Sequence, residues 1–237
     1  MKKFLVFLCA MFCTVASAHT INWRADGEII QTTTCDSGDT VSPPIAPVKY
    51  GYHLKEWNPT YEYTYLEYIQ STGTQYIDTG VAVNDNNSFE IQYAAIGAGG
   101  GQLISQGNNS LRLLAAEKST WFSANYNFPM DIVLGSFYTV NCGQDYANVD
   151  GVAVSGVSDH DRASGISVYL FANNSGTLAT KAQVKYFKIW DGNNVLVRDM
   201  KPAKRNTDDA IGMYDVVTRT FFVNAGTGEF IAGPVVQ

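Results

Sequence analysis

The amino-acid sequence predicts an all-β protein whose largest part is an antiparallel β-sandwich. Residues that favour strands and turns are abundant, with 21 Gly, 14 Tyr and 12 Phe among 237 residues. Short segments alternate polar with apolar side chains, as at residues 88–93, and turn sequences separate them. No stretch keeps apolar residues at the spacing of a long helix, so helices should be scarce.

Residues 1–18 are predicted to be a signal peptide. Lys2 and Lys3 precede an apolar run at residues 4–15, and the segment ends in the small residues Ala-Ser-Ala. The alternative, a membrane anchor, would need roughly 20 apolar residues. We therefore expect cleavage after Ala18 and a protein that is secreted or displayed on the cell surface, with no membrane span.

Charge argues against a nucleic-acid partner. Removal of the two signal-peptide lysines leaves 14 basic and 22 acidic residues, a net charge of −8. An acidic chain repels phosphate backbones. The one basic cluster, residues 201–205, is followed at once by Asp208 and Asp209, and we expect it to be a solvated loop.

Two cysteines remain after Cys9 and Cys13 leave with the signal peptide. Cys35 and Cys142 would then be in an oxidising compartment, where such a pair can form a disulfide. Two reduced thiols are the alternative, because the separation along the chain does not establish the geometry that a disulfide requires.

Residues 19–60 differ from the rest of the chain and are expected to form a small β module. The proline-rich run at residues 42–47 excludes a central strand or helix there. Residues 51–57 read Gly-Tyr-His-Leu-Lys-Glu-Trp. This pattern resembles the small internalin-type repeat of bacterial surface proteins, with Leu54 and Glu56 in place of its usual Phe and Gly. The resemblance implies a β-grasp-like module.

Residues 61–237 carry the strands and turns of the expected sandwich. The dipeptide Asp150-Gly151 predicts a tight hairpin, because a type I′ turn requires a positive φ at both central residues. Residues 173–176 and 191–194 are further turn candidates. Residues 184–190 keep large side chains on both faces, as expected of a strand that is packed on one side and aromatic on the other.

Motifs at the two ends of this segment carry a family resemblance. Residues 65–69 read Tyr-Leu-Glu-Tyr-Ile, and residues 72–80 read Thr-Gly-Thr-Gln-Tyr-Ile-Asp-Thr-Gly. The late motif begins Lys-Tyr-Phe-Lys-Ile-Trp-Asp at residues 185–191 and continues to residue 230. Together they resemble the concanavalin-A-like, laminin-G-related domains of bacterial surface and phage-associated proteins. Such motifs bear on the fold and not on the function.

The resemblance implies an antiparallel jelly-roll β-sandwich in which the first strand and the late strands pair. This pairing is expected to bury the side chains of Tyr76, Tyr186, Ile189 and Tyr214. Arg198 and Asp199 are expected to be structural, as a polar edge or as a buried ion pair that holds the last crossover.

The sequence does not predict an enzyme. Glycan hydrolases use a pair of carboxylates, which in this fold stand at alternating positions of one strand. Glu67 is followed two residues later by Ile69, and Glu90 by Gln92. Histidines at metal-ligand spacing, a Gly-x-Ser-x-Gly elbow and a phosphate loop are all missing from the sequence, so no cofactor is expected. Glycan hydrolysis that depends on Glu67, Glu90 or Asp161 is the alternative.

The resemblance to laminin-G and lectin domains raises the question of a calcium ion at the rim of the sandwich. Asp159 and Asp161 would supply hard oxygen ligands, as would Asp85 with the two asparagines that follow it. Arg162 is a ready ion-pair partner for the first two, and solvated loops are the simpler interpretation. We predict no metal site.

Aromatic side chains beside amides and carboxylates suggest two places where a sugar would bind. These residues are Trp121, Asn125, Tyr126 and Asn127 in one segment, and Asp145 and Tyr146 in another. The alternative is that the aromatic side chains belong to the core. We expect a secreted, non-catalytic adhesion or surface-binding protein that recognises a glycan. A structural or protein-interaction module with a surface-protein partner is the alternative.

The disulfide interpretation makes a direct prediction for the mature chain. If Cys35 and Cys142 pair, the protein unfolded without reductant should expose no reactive thiol, and prior reduction should lower its stability by about 2–4 kcal/mol. Thiol titration in denaturant, with and without reductant, measures this. Two reactive thiols per chain before reduction would support the alternative.

Overall fold

The structure of the chain is a computed structural model. It describes residues 19–25, 28–35, 41–45, 62–82, 86–97, 101–106, 111–115, 121–122, 126–127, 132–143, 146–154, 165–173 and 175–236. The predicted signal peptide, residues 51–57 and the candidate calcium ligands Asp85, Asp159 and Asp161 lie outside these ranges. Within them the prediction of scarce helix is confirmed, since every regular element is a strand. None of the described residues forms a helix long and apolar enough to cross a membrane.

The described residues form nineteen strands. The first ten are β1 (His19–Ala25), β2 (Glu28–Cys35), β3 (Tyr63–Tyr65), β4 (Ile69–Thr72), β5 (Ile77–Ala82), β6 (Ser88–Ala95), β7 (Gly101–Gln106), β8 (Leu111–Ala115), β9 (Trp121–Phe122) and β10 (Tyr126–Asn127). The others are β11 (Tyr138–Cys142), β12 (Ala147–Val149), β13 (Val152–Ala153), β14 (Ser167–Leu170), β15 (Lys181–Trp190), β16 (Leu196–Arg205), β17 (Ile211–Asp215), β18 (Thr220–Val223) and β19 (Ile231–Ala232).

The chain divides into two units, Met1–Thr60 and Tyr61–Gln237. In the first unit, β1 and β2 form an antiparallel hairpin with a bulge between Trp23 and Arg24. The indole N–H of Trp23 donates to Oγ1 of Thr33 at 2.9 Å, which ties the two strands together across the hairpin.

The second unit contains two sheets. The six-stranded sheet has the order β10-β9-β8-β7-β14-β5. The eleven-stranded sheet follows the path β13-β12-β11-β6-β15-β16-β17-β18, and β3, β4 and β19 pair beside β15 and β16. Each pair of these strands runs antiparallel. The all-β, antiparallel prediction is therefore confirmed for the described residues.

Both sheets contribute to one hydrophobic core. The six-stranded sheet contributes Leu103, Val168 and Leu170. The eleven-stranded sheet contributes Phe89 and Phe187, whose rings stack with their centroids 6.2 Å apart. Full burial of a side chain of this size stabilises the fold by about 1.5–3 kcal/mol. The two sheets thus form a β-sandwich-like arrangement.

Strand β15 reverses its alternation at a β-bulge. Ala182 and Val184 are buried before the bulge, whereas Phe187 and Ile189 are buried after it. The register of β15 against β6 shifts directly after Val184, which makes Lys185 the extra residue. From there to the end of β15, the even-numbered side chains face solvent.

Two of the four side chains that were expected in the core lie on the solvent face of the eleven-stranded sheet. Ile189 is fully buried and Tyr76 packs against the core, as predicted. Tyr186 is only half-buried, because the bulge turns it outward. Tyr214 is half-buried as well, because its neighbour Met213 takes the inward position on β17. The prediction of burial is wrong for these two tyrosines.

The tight turns follow the sequence pattern. Asp150 and Gly151 have φ values of 50° and 80°, and they join the paired residues Val149 and Val152 in a two-residue hairpin. This confirms the predicted turn. Residues 191–194 form the predicted turn between β15 and β16.

The basic cluster at residues 201–205 is part of β16, so the expectation of a solvated loop is wrong. The Nζ atom of Lys204 lies 3.0 Å from Oδ1 of Asp209. Arg205 donates to both carboxylate oxygens of Asp208, at 3.0 and 2.6 Å. The acidic residues that follow the cluster are its ion-pair partners across the turn into β17.

The first strands of the second unit pair with its late strands. Strand β3 pairs with β16, and β4 pairs with both β15 and β19. This confirms the expected pairing of the two ends of residues 61–237. This pairing places segments that are far apart in sequence side by side, next to β15 and β16 in the eleven-stranded sheet.

A buried carboxylate fixes the last strands of this sheet. Asp215 is fully buried, and it accepts hydrogen bonds from the backbone N–H of Asp199 at 2.8 Å and from the hydroxyl of Thr218 at 2.6 Å. Its Oδ2 atom lies 3.6 Å from Nε of Arg198, a side chain that is 16% exposed. The buried ion pair predicted as one possible role is thus found for Arg198, with Asp215 as its partner, whereas the side chain of Asp199 lies 3.8 Å from Lys201.

Replacing Asp215 with Ala should destabilise the second unit by about 3–5 kcal/mol, because Arg198 would keep its charge in a mostly buried place without its partner. The midpoint of chemical denaturation measures the loss. Asp209→Asn is the matched control, since it breaks the exposed pair with Lys204 and keeps a side chain that tolerates the positive φ of 59° at this position, so it should change stability little. Equal effects of the two substitutions would contradict this role of Asp215.

Candidate functional site

Three rows of polar and aromatic side chains cross the solvent face of the eleven-stranded sheet. The register of β11, β6 and β15 places Asn141, Glu90 and Lys188 in one row, and Thr139, Gln92 and Tyr186 in the next. Ser88 and Trp190 pair in a third row. We call these residues, apart from Ser88, the strand-face site: Glu90, Gln92, Thr139, Asn141, Tyr186, Lys188 and Trp190.

The middle row is an ion pair with an amide beside it. The Nζ atom of Lys188 lies 3.2 Å from Oε1 of Glu90, and the two side chains are 30% and 22% exposed. The amide of Asn141 donates to the other carboxylate oxygen of Glu90 at 3.2 Å. Because both oxygens of Glu90 are engaged, the carboxylate is held in one orientation.

The row with Tyr186 is also connected by hydrogen bonds. The amide of Gln92 donates to the hydroxyl of Thr139 at 3.2 Å, and the backbone N–H of Thr139 donates to Asp150 at 2.7 Å. Burial raises the pKa of Tyr186, and the negative charge of nearby Glu90 raises it further. The Tyr186 hydroxyl therefore stays protonated at neutral pH and can donate a hydrogen bond.

Two aromatic rings flank the ion pair. The Nζ atom of Lys188 lies 5.0 Å from the ring centroid of Tyr186 and 6.0 Å from that of Trp190. Both distances are within the range of a cation–π contact. The rings and the ammonium group therefore form one continuous surface along β15.

An open cleft of about 320 Å³ lies at the end of these strands. We call it the end cleft. Its walls come from the start of β6, the segment between β11 and β12, and the turn between β15 and β16; they consist of Asn86, Ser88, Gly143, Tyr146, Asp191, Gly192 and Asn194. Ser88 pairs with Trp190 on the sheet face, so the end cleft continues the strand-face site.

The ring of Tyr146 packs against the backbone of Gly143. Tyr146 is 48% exposed, and its carbonyl accepts the N–H of Gly143 at 2.9 Å. A Cβ atom at position 143 would collide with the Tyr146 ring. The glycine thus permits the ring to lie flat at the cleft with one side toward solvent.

The sequence-predicted sugar residues fall in different places. Tyr146 lines the end cleft. Trp121, Tyr126 and Asn127 lie in β9 and β10, at the edge of the six-stranded sheet, where Asn127 pairs with Trp121. Their backbones form a hairpin in a sheet other than that of Tyr146. Asn125 and Asp145 lie outside the described residues.

The two mature cysteines lie at strand ends in different units. Cys35 ends β2 and Cys142 ends β11, and both are buried. Their pairing stays a prediction.

Sequence reasoning missed most of the strand-face site. The alternating side chains of residues 184–190 predict a strand with an aromatic face, but Tyr186 is among the residues expected in the core. Asn141 and Thr139 carried no signal, because only the register of β11 against β6 brings them beside Glu90 and Gln92. In the described ranges, no cluster of three or more His, Cys, Asp or Glu side chains is placed to hold a metal ion.

No protein-family model matches the chain, and no curated protein matches it. The function is therefore argued from the geometry and chemistry of the site.

Replacing Gly143 with Ala should displace the Tyr146 ring from the end cleft, because the new Cβ would occupy the ring's place. Nuclear Overhauser contacts between residue 143 and the ring protons should disappear, and the stability should fall by about 1–3 kcal/mol, because position 143 is buried and the added methyl group overpacks it. Ser88→Ala is the control, since it alters the same cleft without touching the Tyr146 contact. Unchanged ring contacts in Gly143→Ala would refute this packing.

Proposed function

We propose that the chain is a secreted, non-catalytic surface-binding or adhesion protein whose second unit recognises a glycan on the strand-face site. One observation carries the proposal: Trp190 and Tyr186 stand on the solvent face of one strand, with hydrogen-bonding side chains between and beside them.

This combination of groups suits the chemistry of sugars. One face of a pyranose ring is lined by C–H groups and packs on an aromatic ring, and its hydroxyls need donors and acceptors at the edge of that contact. Trp190 and Tyr186 supply the rings. Glu90, Asn141 and Lys188 supply charged and amide partners whose mutual hydrogen bonds already fix their positions.

The surroundings of Glu90 favour binding over hydrolysis. The partly exposed positions of β6 are Ser88, Glu90 and Gln92, which include one carboxylate, whereas a glycosidase needs two. Glu90 is engaged by Lys188 and Asn141. Both oxygens of its carboxylate are therefore already occupied by partners.

The fold that we propose is a concanavalin-A-like jelly roll. Two antiparallel sheets that share one core support it, as does the pairing of β3 and β4 with β16, β15 and β19. The N-terminal signal-peptide pattern supports export to the extracellular space or the cell surface. A glycan on a neighbouring surface would then be within reach of the site.

A glycan-array screen of the mature chain, followed by calorimetry on the best ligand, tests the proposal. Trp190→Ala and Tyr186→Ala should each weaken binding at least about tenfold, because aromatic anchors carry most of the contact energy. Circular dichroism confirms that each variant is folded.

Two controls separate this site from other aromatic surfaces. Tyr65→Ala removes an exposed ring that packs against Tyr214 on the same sheet, and it should leave binding unchanged. The double variant Trp121→Ala, Tyr126→Ala tests the hairpin at the edge of the other sheet. Loss of binding in that variant alone would move the site to the hairpin. No saturable glycan binding by the parent would favour a structural or protein-interaction module.

A further inference from the structure

The spacing of the two rings on β15 sets the direction and the length of a ligand. Tyr186 and Trp190 are four residues apart, so their Cα atoms are separated by about 13 Å along the strand. The Lys188 ammonium group lies between the two rings. A ligand that touches both rings must cross the ion pair and run parallel to the strand.

The cations along this path are already paired. The Lys188 ammonium group is 3.2 Å from the carboxylate of Glu90. The bulge residue Lys185 is held over the ring of Phe137, with its Nζ atom 4.4 Å from the ring centroid. A sulfated or carboxylated ligand would have to compete with Glu90 for Lys188, and that competition reduces the gain from binding.

Negative charge exceeds positive charge around the path. Asp150 receives the N–H of Thr139 beside the Tyr186 row, and Asp191 lines the end cleft. With a net charge of −8 for the mature chain, an anionic glycan is repelled at long range as well.

We infer that the ligand of the strand-face site is a glycan chain of about three or more sugars that carries no acidic groups and lies along β15. One sugar stacks on Trp190, one stacks on Tyr186, and the sugar between them makes hydrogen bonds to Glu90, Lys188 and Asn141. This inference rests on the proposed function, since it names the class of ligand for the same site.

Oligosaccharides that share one backbone and differ in charge test the inference. Suitable probes are fully N-acetylated chito-oligosaccharides, and cello-oligosaccharides with and without oxidation to uronic acids. By calorimetry, the better of the two neutral forms should bind at least about tenfold more tightly than the oxidised, anionic form. Its affinity should change less than about twofold in about 1 M salt, where the Debye length is about 3 Å. The corresponding monosaccharide should show no measurable binding.

A charge variant tests the part played by the ion pair. Glu90→Gln keeps the shape of the side chain and frees the Lys188 ammonium group, so affinity for the oxidised form should rise about tenfold. The double variant Glu90→Gln, Lys188→Gln has no cation to free and should not show this gain. An equal gain in both variants, or none in either, would contradict the role assigned to the pair.

The outcomes distinguish this inference from the proposed function. If the parent binds the oxidised form as tightly as the neutral one, or binds a monosaccharide as tightly as the chain, the inference is wrong while glycan binding stands. If the parent binds none of these probes and no other glycan on the array, the proposed function fails and the inference fails with it.

Discussion

The β-bulge at Lys185 is the constraint on which both the core and the strand-face site depend. Before it, β15 buries Ala182 and Val184; after it, the strand buries Phe187 and Ile189. A strand without the extra residue would keep its even-numbered side chains inward, which would put a lysine and two aromatic residues into the core. The bulge instead places those three side chains on the solvent face, and it leaves two large apolar residues to pack against the six-stranded sheet.

The core side chains and the site side chains stand on opposite faces of the same strands, so the packing of the core limits the movement of the site. β15 pairs with β6 on one side and with β4 and β16 on the other, so its backbone has little freedom to move. Phe89 and Ile91 hold β6 from the inside, while Glu90 and Gln92 stand outside. Side chains on such a support need less ordering when a ligand binds, which favours affinity. The turn at residues 191–194 joins β15 to β16 and also lines the end cleft, so it serves both the fold and the site.

Local turn chemistry can be predicted from the sequence, whereas strand register and the position of a bulge cannot. The Asp150-Gly151 turn follows from the φ preferences of two residues, so the pattern alone predicts it. The outward position of Tyr186 depends on a bulge, and nothing in residues 184–190 marks where the extra residue falls. Tyr146 was named as an aromatic candidate, but three separate chain segments build its cleft. Asn141 joins the site only through the register of β11 against β6.

Gln92 shows which functional groups the strand-face site has and which it lacks. Position 92 points to the same side as Glu90 and holds an amide that donates to the hydroxyl of Thr139. A carboxylate there would stand two residues from Glu90, at the spacing that a hydrolase of such a sheet needs. It would accept a hydrogen bond from the hydroxyl of Thr139 instead of donating one to it. Even then Lys188 and Asn141 would still engage both oxygens of Glu90. Both features agree with the proposed function, in which this face holds a sugar chain without cleaving it.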